Sequence, residues 1–327
     1  MTLLEHPRIV VTRRLPSAVE EALVATYGAT LNPEDHQFRD DELVAALREY
    51  DILLCTLTDP LTRSVFEAAK PVRARMLANF GVGFNHIDLA AARESGLVVT
   101  NTPGVLTEDT ADHTMLLILA VARRITEGER ELRAGLWTGW RPTHMLGARV
   151  SGKTLGIVGF GRIGQAVAFR AHHGFGMRVT YHSRRRADPA VELSTGATWS
   201  ESLESLLRSS DFVSLHTPAT PETHHLIDAK RLSFMQRRAF LINTSRGDVI
   251  DETALVEALD AGSIAGAALD VFDGEPTVRR DLLDRDNVVL VPHLGSATVE
   301  SRVAMGQRAL ANIAAFLDGT EPPDRIA

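Results

Sequence analysis

Cysteine is almost absent: Cys55 is the single one in 327 residues, which excludes an internal disulfide and a thiolate metal cluster and points to a reducing compartment, the cytoplasm. Long apolar runs are missing too. The most apolar stretch, MLLILAVA (115–122), has eight residues against the roughly 20 of a bilayer span, so no membrane helix is expected. Basic charge is in short supply, with 35 Lys plus Arg against 42 Asp plus Glu and a net of −7. Such a surface lacks the field that non-specific nucleic-acid binding needs. The N-terminal MTLLEHPRIVVTRRLP carries charges on both sides of a short apolar run and reads as a first strand, not a signal peptide. No fixed-period repeat or low-complexity tract breaks the chain. What is present is ordinary globular composition, 44% hydrophobic and 24% charged, over a length that suits two domains of about 150 residues with a cleft.

Short β-branched runs alternate with helical stretches: RIVV (8–11), DILLCTL (51–57), RMLANF (75–80) and LVVT (97–100). That rhythm predicts an α/β fold with parallel sheets. One long helix is expected from about Thr107 to Arg133, opened by NTPG (101–104) and by Glu108, Asp109 and Asp112, where the helix dipole favours acids. After the connection at 135–153, six strands are expected at TLGIVG (154–159), MRVTYH (177–182), FVSLHT (212–217), FLINTS (240–245), GAALDV (266–271) and VVLVPH (288–293). With helical crossovers they make a doubly wound sheet. A last amphipathic helix at 301–319 is too short for a further domain.

Directly after TLGIVG comes GFGRIG, placing Gly159, Gly161 and Gly164 in G-x-G-x-x-G spacing between a strand and a helix. The first glycine permits a tight turn, the second lets a pyrophosphate approach the backbone, and the third lets the helix pack on the strand. The free N–H groups of Arg162 and Ile163 then face the phosphates. The next strand ends at Ser183, followed by Arg184, Arg185 and Arg186, and no acid stands between Gly164 and Asp188 to accept from a ribose 2′-OH. A hydroxyl on Ser183 with the guanidiniums of Arg184 and Arg185 suits a 2′-phosphate. NADP(H) is therefore expected ahead of NAD(H); the competing reading, a solvated turn, leaves NAD(H) open.

Ligands of open parallel sheets bind beyond the carboxyl ends of the strands. Those tips carry Thr217–Pro218, Thr244–Ser245–Arg246–Gly247, Asp270 to Glu275, and His293. One Arg, one acid and one His are the groups that reduce a 2-keto acid: Arg246 to hold the carboxylate and polarise the carbonyl, His293 to give a proton as hydride arrives, Glu275 to orient the imidazole and favour its charged form. Alone, His293 would read as a hydrogen-bonded strand end; the company of Arg246 and Glu275 selects catalysis.

The segments GVGFNHID (81–88), GFGRIG (159–164), LINTSRGDVID (241–251), GAALDVFDGEP (266–276) and PHLGSAT (292–298) together resemble the signature blocks of the D-isomer-specific 2-hydroxyacid dehydrogenases, closest to the glyoxylate/hydroxypyruvate reductase branch. The resemblance implies that Arg246 binds the substrate carboxylate and carbonyl, Glu275 orients His293, and His293 donates the proton. It also implies that Val82 and Gly83, in the loop after the fourth N-terminal strand, offer N–H groups to the carboxylate, and that Thr244, Asp270 and Gly295 surround the nicotinamide. In architecture it implies a flavodoxin-like substrate domain at 1–101 plus 295–327, a Rossmann dinucleotide-binding domain at 102–294, a cleft that closes between them, and a homodimer. Glu275 stands where formate dehydrogenases of the family carry Gln, which argues against formate. In the reductase branch an aromatic side chain from the loop after Trp140 reaches the partner's pocket, whereas here that position is His144.

The expected function is NADPH-dependent reduction of glyoxylate or hydroxypyruvate to the D-2-hydroxy acid. The alternatives are an NAD-dependent D-3-phosphoglycerate or D-lactate dehydrogenase and, from another class, a dinucleotide-sensing corepressor-like protein. Cys55 reads as a core residue and His113 as a packed one, and neither His172–His173 nor His224–His225 has the partners of a metal site. Trp137 and Trp140 are placed in a loop where an interface role is plausible.

Overall fold

The computed structural model describes residues 6–327; the MTLLE portion of the first-strand reading lies outside them. The chain divides into two compact units, one running to Leu106 and resuming over Ala297–Ala327, the other Thr107–Ser296. The divisions lie a few residues from the expected 101/102 and 294/295. Asn101 and Thr102 are tied into the first unit by N–H donation to the Asp324 and Gly81 carbonyls at 3.2 and 3.0 Å, and the Gly295 N–H is held in the second by Asp270 at 2.9 Å.

In the first unit, strands β1 (Ile9–Val11), β2 (Ile52–Thr56), β3 (Met76–Phe80) and β4 (Val98–Thr100) pair in parallel in chain order. All but Val98 of their residues are buried, as strands covered on both faces require. The reversal that makes such a sheet doubly wound comes from Thr30, which bridges Val10 in parallel on the edge of β1 away from β2. Counting that bridge as a strand gives the flavodoxin order 2-1-3-4-5. The loop carrying Val82 and Gly83 follows β3, the third full strand, and is fourth only if the bridge at Thr30 is counted. Helix Val299–Leu317 starts where Thr298 caps the Ser301 N–H at 3.1 Å and buries Met305, Ala309, Ile313 and Phe316, the 3.6-residue stripe expected of a docked helix.

The second unit holds seven strands, not six: β5 (Thr154–Val158), β6 (Arg178–His182), β7 (Ala197–Trp199), β8 (Phe212–Leu215), β9 (Phe240–Asn243), β10 (Gly266–Leu269) and β11 (Val288–Leu290). Their order is β11-β10-β9-β8-β5-β6-β7, all parallel. The order reverses between β5 and β8, the switch point at which doubly wound sheets bind ligands. Alternate residues feed two cores: Leu155, Ile157, Val179 and Tyr181 on one face, Val158, Val213, Leu215 and Leu241 on the other. The strand at Ala197–Trp199 escaped notice because three residues with Thr198 exposed make no apolar run.

The expected long helix at 107–133 is two helices, Thr107–Ala122 and Ile125–Arg133. Arg124 between them takes the left-handed φ of +54° while its guanidinium grips Glu127 at 2.6 and 2.7 Å. No helix among the described residues is long and apolar enough to cross a membrane.

Candidate active site

Three strand tips meet at one edge of the larger sheet. After β9, Asn243 folds the turn: its Oδ1 accepts from the Ser245 N–H and hydroxyl at 3.0 and 2.7 Å, and its Nδ2 donates to the Arg246 carbonyl at 2.8 Å. Arg246 in turn donates from Nη1 to the Ser245 carbonyl at 2.6 Å. Burial lowers the Arg246 pKa from its ordinary value, opposed by the charges of Glu275 and Asp248; the guanidinium remains a cation.

Gly247 explains why Arg246 and Glu275 come together. A Cβ on Gly247 would overlap the Phe272 carbonyl and the Asp273 nitrogen, so the turn bearing Arg246 lies flat against the loop bearing Glu275. Within that loop Glu275 Oε1 accepts from the Phe272 N–H at 2.9 Å, and Oε2 lies 2.9 Å from His293 Nδ1. A carboxylate only accepts, so Nδ1 carries the proton there and Nε2 is left for a ligand. Burial pushes Glu275 upward in pKa, but the hydrogen bond and charge of His293, the Phe272 N–H and the charge of Arg246 outweigh it, and the carboxyl titrates below its ordinary value.

His293 has φ +54°, a conformation that costs a non-glycine residue about 1–3 kcal/mol. Asp270 holds it there. The Asp270 carbonyl accepts from the His293 N–H at 2.9 Å, and its carboxylate accepts from the Leu294 and Gly295 N–H groups at 2.6 and 2.9 Å. The imidazole is 28% exposed while the Asp270 side chain is 1% exposed. His113 Nε2 stands 3.2 Å from Asp270 Oδ1, and Thr114 shares a hydroxyl hydrogen bond with Thr244 at 2.9 Å. Reading His113 as packing alone did not anticipate this approach to Asp270, which is a close contact and not a hydrogen bond. The signal was the polar set Thr110, His113, Thr114 at i, i+3, i+4, one face of the helix ahead of its apolar second half.

At β5 the three glycines have separate physical reasons. Gly159 has φ +91°, and a Cβ there would press on the His216 carbonyl. A Cβ on Gly164 would overlap the Gly159 carbonyl and crowd Ile157 at 3.2 Å, whereas one on Gly161 meets nothing within 4 Å. The second glycine therefore faces open space above the first turn of helix Arg162–Phe175. That helix has no side-chain cap and no acid in its first turn, so the N–H groups of Arg162, Ile163 and Gly164 are available to an anion. Beside the loop, Thr217 Oγ1 is buried without a partner, next to Pro218. An open cradle of N–H donors and an orphaned hydroxyl fit the diphosphate of a dinucleotide. His216, half-buried with Ser214 Oγ at 2.9 Å, is pushed by desolvation down to about 3 and stays neutral.

At the tip of β6, Ser183 donates to the Arg185 carbonyl at 2.5 Å, and Arg184 and Arg185 are exposed. Arg186 is engaged elsewhere, with Glu192 at 2.9 and 2.8 Å. In the first unit, the carbonyls of Gly81, Val82 and Gly83 are taken by Asn79, Asn101 and Thr102 at 2.9–3.1 Å, and the Gly81 N–H donates to the Asn79 carbonyl at 3.0 Å. Cys55 is buried in β2 and its thiol pKa is raised by burial.

Residues 115–295 match the family model of the D-isomer specific 2-hydroxyacid dehydrogenase, NAD binding domain. A glyoxylate reductase of Thermococcus litoralis is 44% identical over 98% of this chain and 96% of its own. Among solved structures, a Thermus thermophilus protein superposes with TM-score 0.88 at 45% identity, covering 98% of this chain and 100% of that one. An NADPH-dependent glyoxylate/hydroxypyruvate reductase of Sinorhizobium meliloti, in complex with NADP and malonate, does so with TM-score 0.86 at 34% identity, covering 99% and 97%. With half its length inside the family model and relatives alike from end to end, the chain belongs to the D-isomer-specific 2-hydroxyacid dehydrogenases.

Proposed function

We propose that the chain reduces glyoxylate or hydroxypyruvate to the D-2-hydroxy acid with NADPH as the hydride donor. The observation that carries this is the His293–Glu275 pair at 2.9 Å on a loop pressed against the Arg246 turn through Gly247. Arg246 holds the substrate carboxylate and draws charge from the keto oxygen. His293, its Nδ1 on Glu275, presents Nε2 to that oxygen and delivers the proton. Glu275 keeps the imidazole in one tautomer and stabilises its charge. The bound dinucleotide supplies hydride to the keto carbon. The cradle at Gly161, with Arg162, Ile163, Thr217 and Pro218, binds its diphosphate, while Thr244, Asp270 and Gly295 border the nicotinamide.

The NADPH preference draws support from Ser183, Arg184 and Arg185 beyond β6, with no acid in the chain between Gly164 and Asp188, and from the relative whose complex holds NADP. A homodimer is supported by the run of exposed apolar residues Leu132, Leu136, Trp137, Trp140 and Leu146, and a reducing cytoplasm suits the lone buried thiol. The test is loss of nicotinamide absorbance with glyoxylate, hydroxypyruvate, phosphohydroxypyruvate and pyruvate, each with NADPH and NADH. Turnover of the first two with NADPH supports the reading; no turnover of any of the four defeats it, and preference for NADH defeats the cofactor assignment.

A further inference from the structure

We infer that Glu192 is a positioning residue for the dinucleotide's 2′-phosphate: by holding Arg186 and Tyr181 it sets the 183–187 loop so that Arg184 and Arg185 are the guanidiniums left to meet that phosphate. The inference rests on the NADPH preference proposed above.

Glu192 lies on helix Pro189–Thr195, whose start is fixed by Asp188 accepting from the Ala190 N–H at 2.8 Å and by Pro189, and whose end turns at Gly196. Its side chain is 12% exposed. Both oxygens are committed to the loop: Oε1 accepts from the Tyr181 hydroxyl at 2.6 Å and from Arg186 Nε at 2.9 Å, and Oε2 accepts from Arg186 Nη2 at 2.8 Å. This is a two-pronged guanidinium–carboxylate pair, which fixes orientation as well as distance. The Tyr181 hydroxyl, in donating to Glu192, also accepts from the Ala187 N–H at 2.8 Å. The far end of the loop is thereby tied to β6.

Arg186 and Tyr181 draw the Glu192 carboxyl down to about 2, so the hold persists at every working pH. Arg186 also lies over the Trp199 ring, 5.9 Å from its centroid. Tyr181 in turn stacks on Phe160 with centroids 3.8 Å apart and planes 17° apart. Phe160 stands between Gly159 and Gly161, so one carboxylate connects the loop beyond β6 to the cradle beyond β5.

Two consequences follow for phosphate recognition. Phosphate binding depends on donors already held in place, because ordering a flexible loop on binding costs affinity. In addition, Arg186 acts as a strut and not as a phosphate ligand. Release of Glu192 would free a third guanidinium and slacken the peptide carrying the other two.

The experiment measures calorimetric binding of two fragments, 2′,5′-ADP and 5′-AMP, to the full chain and to Glu192→Gln, Arg186→Gln and Tyr181→Phe. The wild type is expected to bind 2′,5′-ADP more tightly. Glu192→Gln should lose on the order of tenfold in 2′,5′-ADP affinity, a difference of about 1.4 kcal/mol, with 5′-AMP unchanged. The other two variants should shift in the same direction. If Arg186 were instead a phosphate ligand, Glu192→Gln would free it and raise the affinity, which overturns the inference. Unchanged affinity, or equal loss for both fragments, overturns it as well while leaving the cofactor assignment standing. A wild type that binds both fragments alike defeats the NADPH reading and the inference with it. Should Glu192→Gln fail to fold by circular dichroism, Tyr181→Phe decides, since it removes the Ala187 anchor without altering charge.

Discussion

Two stretches of the larger sheet's carboxyl edge are built on opposite plans. Beyond β5 the backbone is left open: Gly161 faces empty space, and the first N–H groups of helix Arg162–Phe175 have no cap. Beyond β9, β10 and β11 the expected reacting groups are tied down. Arg246 is folded over Ser245, Glu275 is fixed by Phe272 and His293, and the His293 turn is held by Asp270. Even the histidines differ. His216, under the cradle, is kept neutral by its desolvated surroundings, whereas His293 is paired with an acid. A site that receives a ready-made diphosphate needs unclaimed donors, while a site that moves a proton needs its groups held in advance.

The comparison can be broken at several places. The largest effect is expected for Arg246→Ala, which should reduce kcat/KM for glyoxylate roughly 10²- to 10³-fold, with kcat falling and KM rising together, because the guanidinium serves both ground and transition states. Steady-state kinetics check this; a change in KM alone would reduce Arg246 to a binding group. Gly247→Ala comes next. Its new methyl would push the Arg246 turn off the Glu275 loop, and a displacement of about 1 Å costs on the order of 10²-fold in kcat. The same substitution should leave dinucleotide affinity intact, as fluorescence titration would show.

Stability against pH probes the silent histidine. Burial lowers the His216 pKa in the fold to about 3 from an ordinary 6.5. The unfolded chain therefore gains a proton that the fold refuses, and stability present above pH 6.5 is lost as pH falls toward 3. At pH 5 the loss should be about 2 kcal/mol. His216→Gln, compared with wild type by chemical denaturation at pH 7 and pH 5, should lack that loss; identical slopes would show that His216 is not the group responsible. The smallest effect is expected for Gly161→Ala, which should keep the apo melting temperature while raising the dinucleotide KM roughly tenfold, since the added methyl occupies the phosphate's approach. Gly159→Ala should instead lower the melting temperature, because its φ of +91° and the His216 carbonyl leave no place for a side chain.

Much of this was legible in the residues because the informative features are local. The glycine spacing, the strand runs and the polar tips each occupy a few consecutive positions, and each falls where expected. What escaped depends on distance or on single contacts. The Thr30 bridge is one residue long, and β7 is three. The bend at Arg124 comes from its own grip on Glu127, against a helical pattern that continues past it. The hold of Asp270 on residues 294 and 295, and its approach by His113, join parts of the chain far apart in sequence. Nor does a run of three arginines tell which one is withdrawn by an acid on the next helix, as Glu192 withdraws Arg186.

The central claim is that His293 delivers the proton while the cradle beyond β5 holds the dinucleotide. Single-turnover reduction of glyoxylate by His293→Ala, paired with titration of NADPH binding to the same variant, tests it most directly. The account predicts a rate lower by roughly 10²- to 10⁴-fold with NADPH affinity unchanged. A wild-type rate, or a rate loss matched by an equal loss of NADPH affinity, would contradict it.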